Sequence, residues 1–384
     1  MEQSVIDVFF ALLRFEIKGM RLCENVKNNI TAETLTELYK MAKRHDLAHL
    51  IGDALDKNGL LPEGSEAKKR FFQERNIAVY RCEQLRYELG CICDTLEKAN
   101  IPFIPLKGSV LRPLYPEPWM RTSCDIDVLV KEADLEAAIS VLEEKLQYKC
   151  TEIGQHDAQI FSKSGVHIEL HYSLLESGSK IATKSVLNGV WESMDKTKVH
   201  CTMPDELLYC YLMSHIAKHI KFGGCGIRPF IDIWILNNQV SFNAKERERL
   251  LKKADLWVLS QAIEKLASVW LDGEKSDELS IKLEQYILTG GIYGTFENKV
   301  AAQRTRKKSK IAYLLSRIFL PYHQMKFKYT ILQKHPILYP FYIIKRCFLL
   351  LKKDKRKLAL REVEQTVHGG QKQHVAKLLS DLDI

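Results

Sequence analysis

Several features that mark whole classes of protein are missing from this sequence. The apolar run around 341–344 is interrupted by Lys345 and Arg346 and is too short to cross a bilayer, which needs about 20 apolar residues. Internal repeats and low-complexity tracts are absent as well. The chain has 384 residues, of which 46% are hydrophobic and 27% charged. This composition is typical of a globular protein, and the length is sufficient for two or three domains.

The cysteines lack the spacing of metal or redox pairs. All ten are scattered along the chain, and the closest two, Cys91 and Cys93, are one residue too near for a CxxC pair. The N-terminal apolar run contains acidic residues, so we expect no secretion signal. We therefore expect reduced thiols and a cytoplasmic location.

Acidic residues are almost missing from one long segment. Between Lys299 and Lys357 the chain has 17 lysines or arginines and one acid, Asp354, so this segment carries a charge of +16 against +9 for the whole protein. Aromatic residues are interleaved with the basic ones. Three interpretations stay open: a solvated helical surface, binding of nucleic-acid backbones, and peripheral contact with an anionic membrane.

The hydrophobic pattern predicts helices around a small sheet. Apolar residues recur three and four positions apart within residues 1–100, which is typical of amphipathic helices. Residues 101–106 are apolar and punctuated by proline, as in an edge strand, and residues 125–130 form a second predicted strand. A helix is predicted over 135–146 and a hairpin over 159–171. The predicted fold class is therefore α+β, with a small mixed sheet embedded between helical segments.

Two aspartates lie at alternate positions at the start of the second predicted strand. Side chains two positions apart on a strand share a face, so Asp125 and Asp127 would lie together. Taken alone they could be surface carboxylates, but buried together they need a cation, and Mg²⁺ prefers oxygen ligands. The hairpin supplies a third acid, Glu169, between two apolar residues. Three acids on neighbouring strands suit a two-metal site for phosphoryl or nucleotidyl transfer, with Mn²⁺ as the alternative to Mg²⁺.

A short turn precedes these aspartates. Lys107, Gly108 and Ser109 follow the first predicted strand, and the glycine would let backbone amides approach an anion closely. Lys107 and Arg121 would add positive charge. We therefore expect this turn to hold the phosphates of a nucleotide whose metal the aspartates bind.

The order of these motifs resembles a known superfamily. LKGS, then DIDVLV, then IEL are similar to the polymerase-beta-like nucleotidyltransferases. The longer series LKG, LYP, DIDVLV and HIELHYSL resembles the uncharacterised nucleotidyltransferase family, which is often found in bacterial biosynthetic gene clusters. Helical segments at 215–219 and 227–232 and a glycine element at 289–294 extend the resemblance, which covers about residues 80–320.

The sequence pattern predicts four regions, and the resemblance implies a reaction. We expect an N-terminal helical region (1–100), a nucleotidyltransferase core (101–200), a helical domain (201–300) and a basic helical C-terminal region (301–384). The implied reaction moves a nucleoside monophosphate from an NTP such as ATP to an unidentified acceptor and releases pyrophosphate, with two Mg²⁺ ions as cofactors. A nucleotide- or RNA-binding protein without turnover, or a peripheral membrane partner in a biosynthetic assembly, is the alternative.

The implied site residues follow the family's motifs. Asp125, Asp127 and Glu169 match the metal ligands, and Gly108 and Ser109 match the phosphate-binding turn. Two departures concern rate and substrate more than fold. The third acid is glutamate where aspartate is usual, and the distance from the turn to the aspartates is longer than in most of the superfamily.

Further contacts are expected from the helical domain. His215 and His219 lie one helical turn apart, a spacing also seen in zinc sites. Hydrogen bonds within that domain, with Asp232 as one candidate partner, or contact with the nucleotide are favoured over zinc. Arg228 is expected either at phosphate or paired with Asp232. His171, two residues beyond the third acid, either orients a metal-site group or lies at a solvated strand end.

Overall fold

The computed structural model of the protein describes most of the chain: residues 3–175, 180–195, 197–305, 319–322, 325, 329, 331–350 and 370–384. The predicted basic region over 301–384 is thus described in part. Much of its charge lies at 306–318 and 351–357, outside the described residues.

Five helices precede the sheet: α1 (Gln3–Lys18), α2 (Glu24–Asn28), α3 (Ala32–Arg44), α4 (Ala48–Lys57) and α5 (Glu66–Lys98). The strands are β1 (Phe103–Pro105), β2 (Asp125–Val130), β3 (Lys149–Ile153), β4 (Asp157–Phe161) and β5 (His167–His171), with α6 (Gly108–Leu111) and α7 (Leu135–Leu146) between them.

The described helices after the sheet are α8 (Ile181–Leu187), α9 (Asp205–Lys221), α10 (Arg228–Gln239), α11 (Ala244–Lys253), α12 (Trp257–Asp272), α13 (Glu278–Gly290), α14 (Phe296–Thr305), α15 (Ile331–Lys334), α16 (Tyr339–Leu350) and α17 (Gly370–Asp381). Of the helices in these ranges, none is both long and apolar enough to cross a membrane. The ten cysteines are all free thiols.

Side-chain caps explain where several helices begin. Thr31 accepts from the amide of Thr34 at the start of α3, and Ser65 accepts from the amide of Lys68 at the start of α5. Asp277 forms a capping box at α13. Such caps bind amides that have no partner inside the helix, and each typically stabilises it by about 1 kcal/mol.

The five strands form one mixed sheet in the order β1-β2-β5-β4-β3, which confirms the α+β fold class. The central pair, β2 and β5, is parallel, and the other pairs are antiparallel. The predicted edge strand, buried strand and hairpin are all present, and the predicted helix at 135–146 has the bounds of α7. Gly165 turns the hairpin with a φ of +82°, which favours glycine.

Apolar side chains pack on both faces of the sheet. Ile126 and Val128 on β2 are buried in one cluster with residues of α5 and α7. Leu129 faces the other way and joins a larger cluster formed by the helices before and after the sheet. The polar residues that alternate with Ile126 and Val128 along β2 therefore face the same helices as Leu129. This arrangement positions the candidate site.

Away from the sheet, two acids are buried between α1 and α4. Glu16 and Asp53 share Lys57, whose Nζ lies 3.0 Å from Glu16 Oε2 and 2.7 Å from Asp53 Oδ2. Arg75 also contacts Asp53, at 2.9 Å. Burial and the charge of Asp53 raise the pKa of Glu16 to about 7, against the opposing hydrogen bond from Lys57.

Candidate active site

Strands β2 and β5 bring three carboxylates together. Asp127 lies opposite Glu169 in the parallel ladder, and Asp125 is two positions before Asp127 on the same face. Ile126 and Val128, which alternate with them, are 1% and 0% exposed. Because a shift of one residue would expose these apolar side chains, their burial fixes the register of the acids.

Two groups of potential metal ligands share Glu169. One contains Asp127, Glu169 and His171, the other Asp125, His167 and Glu169, and within each group the ligand atoms lie within 4.8 Å of one another. Burial and the charges of Asp127 and Glu169 raise the pKa of Asp125, as expected for carboxylates held close together. A donor set of three carboxylates and two imidazoles fits a divalent cation.

His171 is hydrogen-bonded within this cluster. Its Nε2 lies 2.9 Å from Asp127 Oδ1 and 3.3 Å from Glu169 Oε2, and the residue is buried. Burial lowers the pKa of His171, but the bonds to the two acids outweigh this and raise it to about 9. Of the two predicted places for His171, the structure shows the one beside the acids.

Lys107 reaches the same aspartate from the turn after β1. Its Nζ lies 2.7 Å from Asp127 Oδ1, with the two side chains 13% and 4% exposed. Burial opposes ionisation of Asp127, but Lys107 and His171 hold its pKa well below the usual range. The backbone of Lys107 has φ +42° and ψ −111°, a conformation suited to glycine. A non-glycine residue there costs about 1–3 kcal/mol of strain.

The two other residues of the turn differ in their access to the site. Gly108 lines a cavity in front of the carboxylates, where an added Cβ would lie 2.8 Å from Arg121 Nη1 and 3.1 Å from Arg112 Nη2. Ser109 does not line that cavity, and its Oγ is buried without a hydrogen-bond partner in the described part of the chain. Its amide donates to Leu106 at 3.0 Å. The close approach in this turn is therefore at Gly108.

Arg121 pairs with Asp232 on α10. Its Nε and Nη2 donate to the two oxygens of Asp232 at 2.8 and 2.9 Å, and Tyr115 donates to the same carboxylate at 2.7 Å. Burial lowers the pKa of Arg121, but Asp232 outweighs this and raises it. This buried network attaches the loop before β2 to helix α10. Arg228, for which pairing with Asp232 was one of two expectations, donates to the carbonyl oxygen of Thr122 at 2.6 Å.

Comparison with protein families matches residues 31–270 to the uncharacterised nucleotidyltransferase family. The chain belongs to this family. The matched region contains both carboxylate strands and the Arg121–Asp232 pair, and the glycine element at 289–294 lies beyond it. Searches of curated proteins and of solved structures found no significant match.

In this nucleotidyltransferase the carboxylates line a cavity of about 450 Å³, and residues of α9 and α10 contribute basic side chains to its lining, here called the basic wall. Helix α9 contributes His215, Lys218 and His219 to that wall, and the first turn of α10 contributes Arg228. The Nε2 atoms of the two histidines are 2.9 Å apart. A cavity lined by both acidic and basic side chains provides charge for both a cation and an anion.

Sequence reasoning missed three residues of this nucleotidyltransferase site. His167 shares the carboxylate face because it is two positions before Glu169, so the rule that placed His171 could have found it. Lys218 lies three residues after His215 on the same helical face, which is also a local signal. Tyr115 lies in the LYP segment of the family resemblance, but no local signal indicated its contact with Asp232, which is 117 residues away.

Proposed function

We propose that this nucleotidyltransferase moves a nucleoside monophosphate from an NTP to a hydroxyl group of an acceptor. The acceptor oxygen forms a bond to the α-phosphorus and releases its proton to solvent water, and the bond from that phosphorus to the oxygen bridging it to the β-phosphate breaks. This oxygen leaves with the electron pair as part of pyrophosphate. The proposal is carried by the three carboxylates of β2 and β5, which line one cavity together with the basic wall in a member of this family.

The carboxylate cluster of β2 and β5 has the residues for a divalent cation. Asp125, Asp127 and Glu169 would hold Mg²⁺ or Mn²⁺, which when bound neutralises phosphate charge and lowers the pKa of the acceptor hydroxyl. Glu169 suits the role of ligand better than that of base, because the hydrogen bond from His171 lowers its pKa. His171 bonds to both Asp127 and Glu169 and so orients them.

The basic wall has the residues for the phosphates. Lys218 and Arg228 line the same cavity as the carboxylates, and Gly108 keeps the approach from the turn open. Arg121 would act indirectly, because both of its hydrogen bonds to Asp232 hold the loop before β2 in place. Lys107 could contribute to both the metal site and the phosphate site, since its ammonium lies beside Asp127 and the residue lines the cavity.

The test is transfer of label from each α-labelled NTP, with a host-cell extract as the source of acceptor. Asp127→Asn should lower pyrophosphate release at least about 10²-fold, because metals supply several kcal/mol to such transition states. Glu136→Gln, on the exposed side of α7, removes the same charge away from the site and should be unaffected. Equal turnover by Asp127→Asn and wild type would refute the metal assignment. Nucleotide binding without pyrophosphate release would favour a binding protein.

Nucleic-acid and membrane partners stay predictions for the segment 299–357. Binding of tRNA and of anionic vesicles, measured from about 50 to 200 mM salt, tests them, since contacts to phosphates weaken steeply over that range.

A further inference from the structure

One oxygen of the carboxylate cluster is already engaged by a lysine and a histidine. Asp127 Oδ1 lies 2.7 Å from Lys107 Nζ and 2.9 Å from His171 Nε2. The side chains of Lys107 and Asp127 are 13% and 4% exposed, so water screens their attraction little. Burial lowers the pKa of Lys107, but Asp127 outweighs this and holds it well above its usual value. The ammonium thus lies as a counter-charge within the carboxylate cluster.

The backbone indicates that the side chain of Lys107 matters at this position. Its φ of +42° would be relaxed in glycine, and glycine is the next residue, yet lysine occupies the strained position. Strained residues persist where the surrounding structure holds them, and they cluster at functional sites. Here the strained conformation accompanies an ammonium held against Asp127.

A divalent cation and Lys107 need the same carboxylate. A cation bound to Asp127 would repel an ammonium held at 2.7 Å from one of its ligand oxygens. The attraction between Lys107 and Asp127 must therefore be broken, at least in part, when a cation enters. The cavity lined by Lys107 and by the basic wall gives the released ammonium access to phosphate.

We propose that Lys107 is an internal counter-ion of Asp127 that a divalent cation displaces, so that Lys107 weakens metal binding until a nucleotide is present. This rests on the proposed function, because it takes Asp127 as a metal ligand. Displaced Lys107 pairs with the phosphates of the nucleotide, which makes binding of metal and binding of nucleotide favour each other.

The experiment is calorimetric titration of Mn²⁺ into the full chain without nucleotide. Lys107→Met should bind Mn²⁺ at least about tenfold more tightly than wild type, because the competing charge is gone. Lys163→Met, in the exposed hairpin turn, makes the same change of net charge and should bind like wild type. Equal or weaker binding by Lys107→Met overturns the inference. If that variant does not fold, Lys107→Gln replaces it.

A second measurement separates the counter-ion from the metal site itself. A non-hydrolysable α,β-methylene ATP analogue should raise Mn²⁺ affinity in wild type, and by a smaller factor in Lys107→Met. If Asp127→Asn loses Mn²⁺ binding while wild type and Lys107→Met bind Mn²⁺ equally, the counter-ion role of Lys107 is refuted and the metal site stands. If Mn²⁺ binds neither wild type nor Lys107→Met, the metal site of the proposed function fails together with it.

Discussion

The pair between Arg121 and Asp232 gives a sharp test of how the loop before β2 is held. Asp232→Asn keeps the volume of the side chain and removes its charge. The guanidinium of Arg121 would then be buried without its counter-charge, with side-chain exposure of only 6%. Arg112 lies nearby, and burial together with the charge of Arg121 already lowers the pKa of Arg112 to about 10. Two arginines would share a buried space with less negative charge.

The size of the effect follows from that burial. Breaking a buried ion pair by removing one partner costs about 3–5 kcal/mol. An unfolding entropy of about 2.1 cal/mol/K per residue over 384 residues converts this to a decrease in Tm of about 4–6 °C. An exposed pair contributes much less, about 0.3–0.5 kcal/mol.

Differential scanning calorimetry of Asp232→Asn and of a matched control measures this difference. The control is Glu248→Gln, which breaks the exposed pair with Lys252 on α11 and should lower Tm by less than about 1 °C. Adding Arg121→Met to Asp232→Asn should recover part of the loss, since it removes the unpaired charge. An Asp232→Asn variant as stable as the control would refute the claim that this pair anchors the loop.

Two further predictions concern parts of the fold outside the site. Since burial raises the pKa of Glu16 to about 7 from 4.5 in the unfolded chain, wild type loses stability as the pH rises from about 4.5 to 7. Glu16→Gln should therefore be about 1–3 kcal/mol more stable than wild type at pH 8 and no more stable at pH 4. Chemical denaturation measures this, and an equal stability difference between variant and wild type at the two pH values would contradict the prediction. Gly294→Ala should cost at least about 2 kcal/mol, because φ is +68° and the new Cβ would lie 2.4 Å from the carbonyl group of Gly223. Gly273→Ala, with a φ of +75° and open space around it, should cost only about 1 kcal/mol; equal melting temperatures for the two glycine variants would show that the contact is unimportant.

Local sequence pattern was enough to predict much of the sheet. The alternation of apolar and acidic residues predicted β2 and the hairpin containing β5, and it placed Asp125 and Asp127 on one face. It did not predict β3, whose residues are mostly exposed and show no clear alternation of burial. This edge strand is defined by its hydrogen bonds to β4, which a local pattern cannot reveal.

Within the candidate site, the sequence determined which residue types were present, and the tertiary structure decided their partners. Strand periodicity and the family's motifs identified the three carboxylates, because a two-residue period needs only neighbouring residues. The parallel pairing that sets Asp127 opposite Glu169 required the crossover between β2 and β5. Arg121, predicted at phosphate, lines the cavity and is bonded to Asp232, 111 residues away. Which acid an arginine meets depends on how distant helices pack and on which charges they bury, and no local period carries that information.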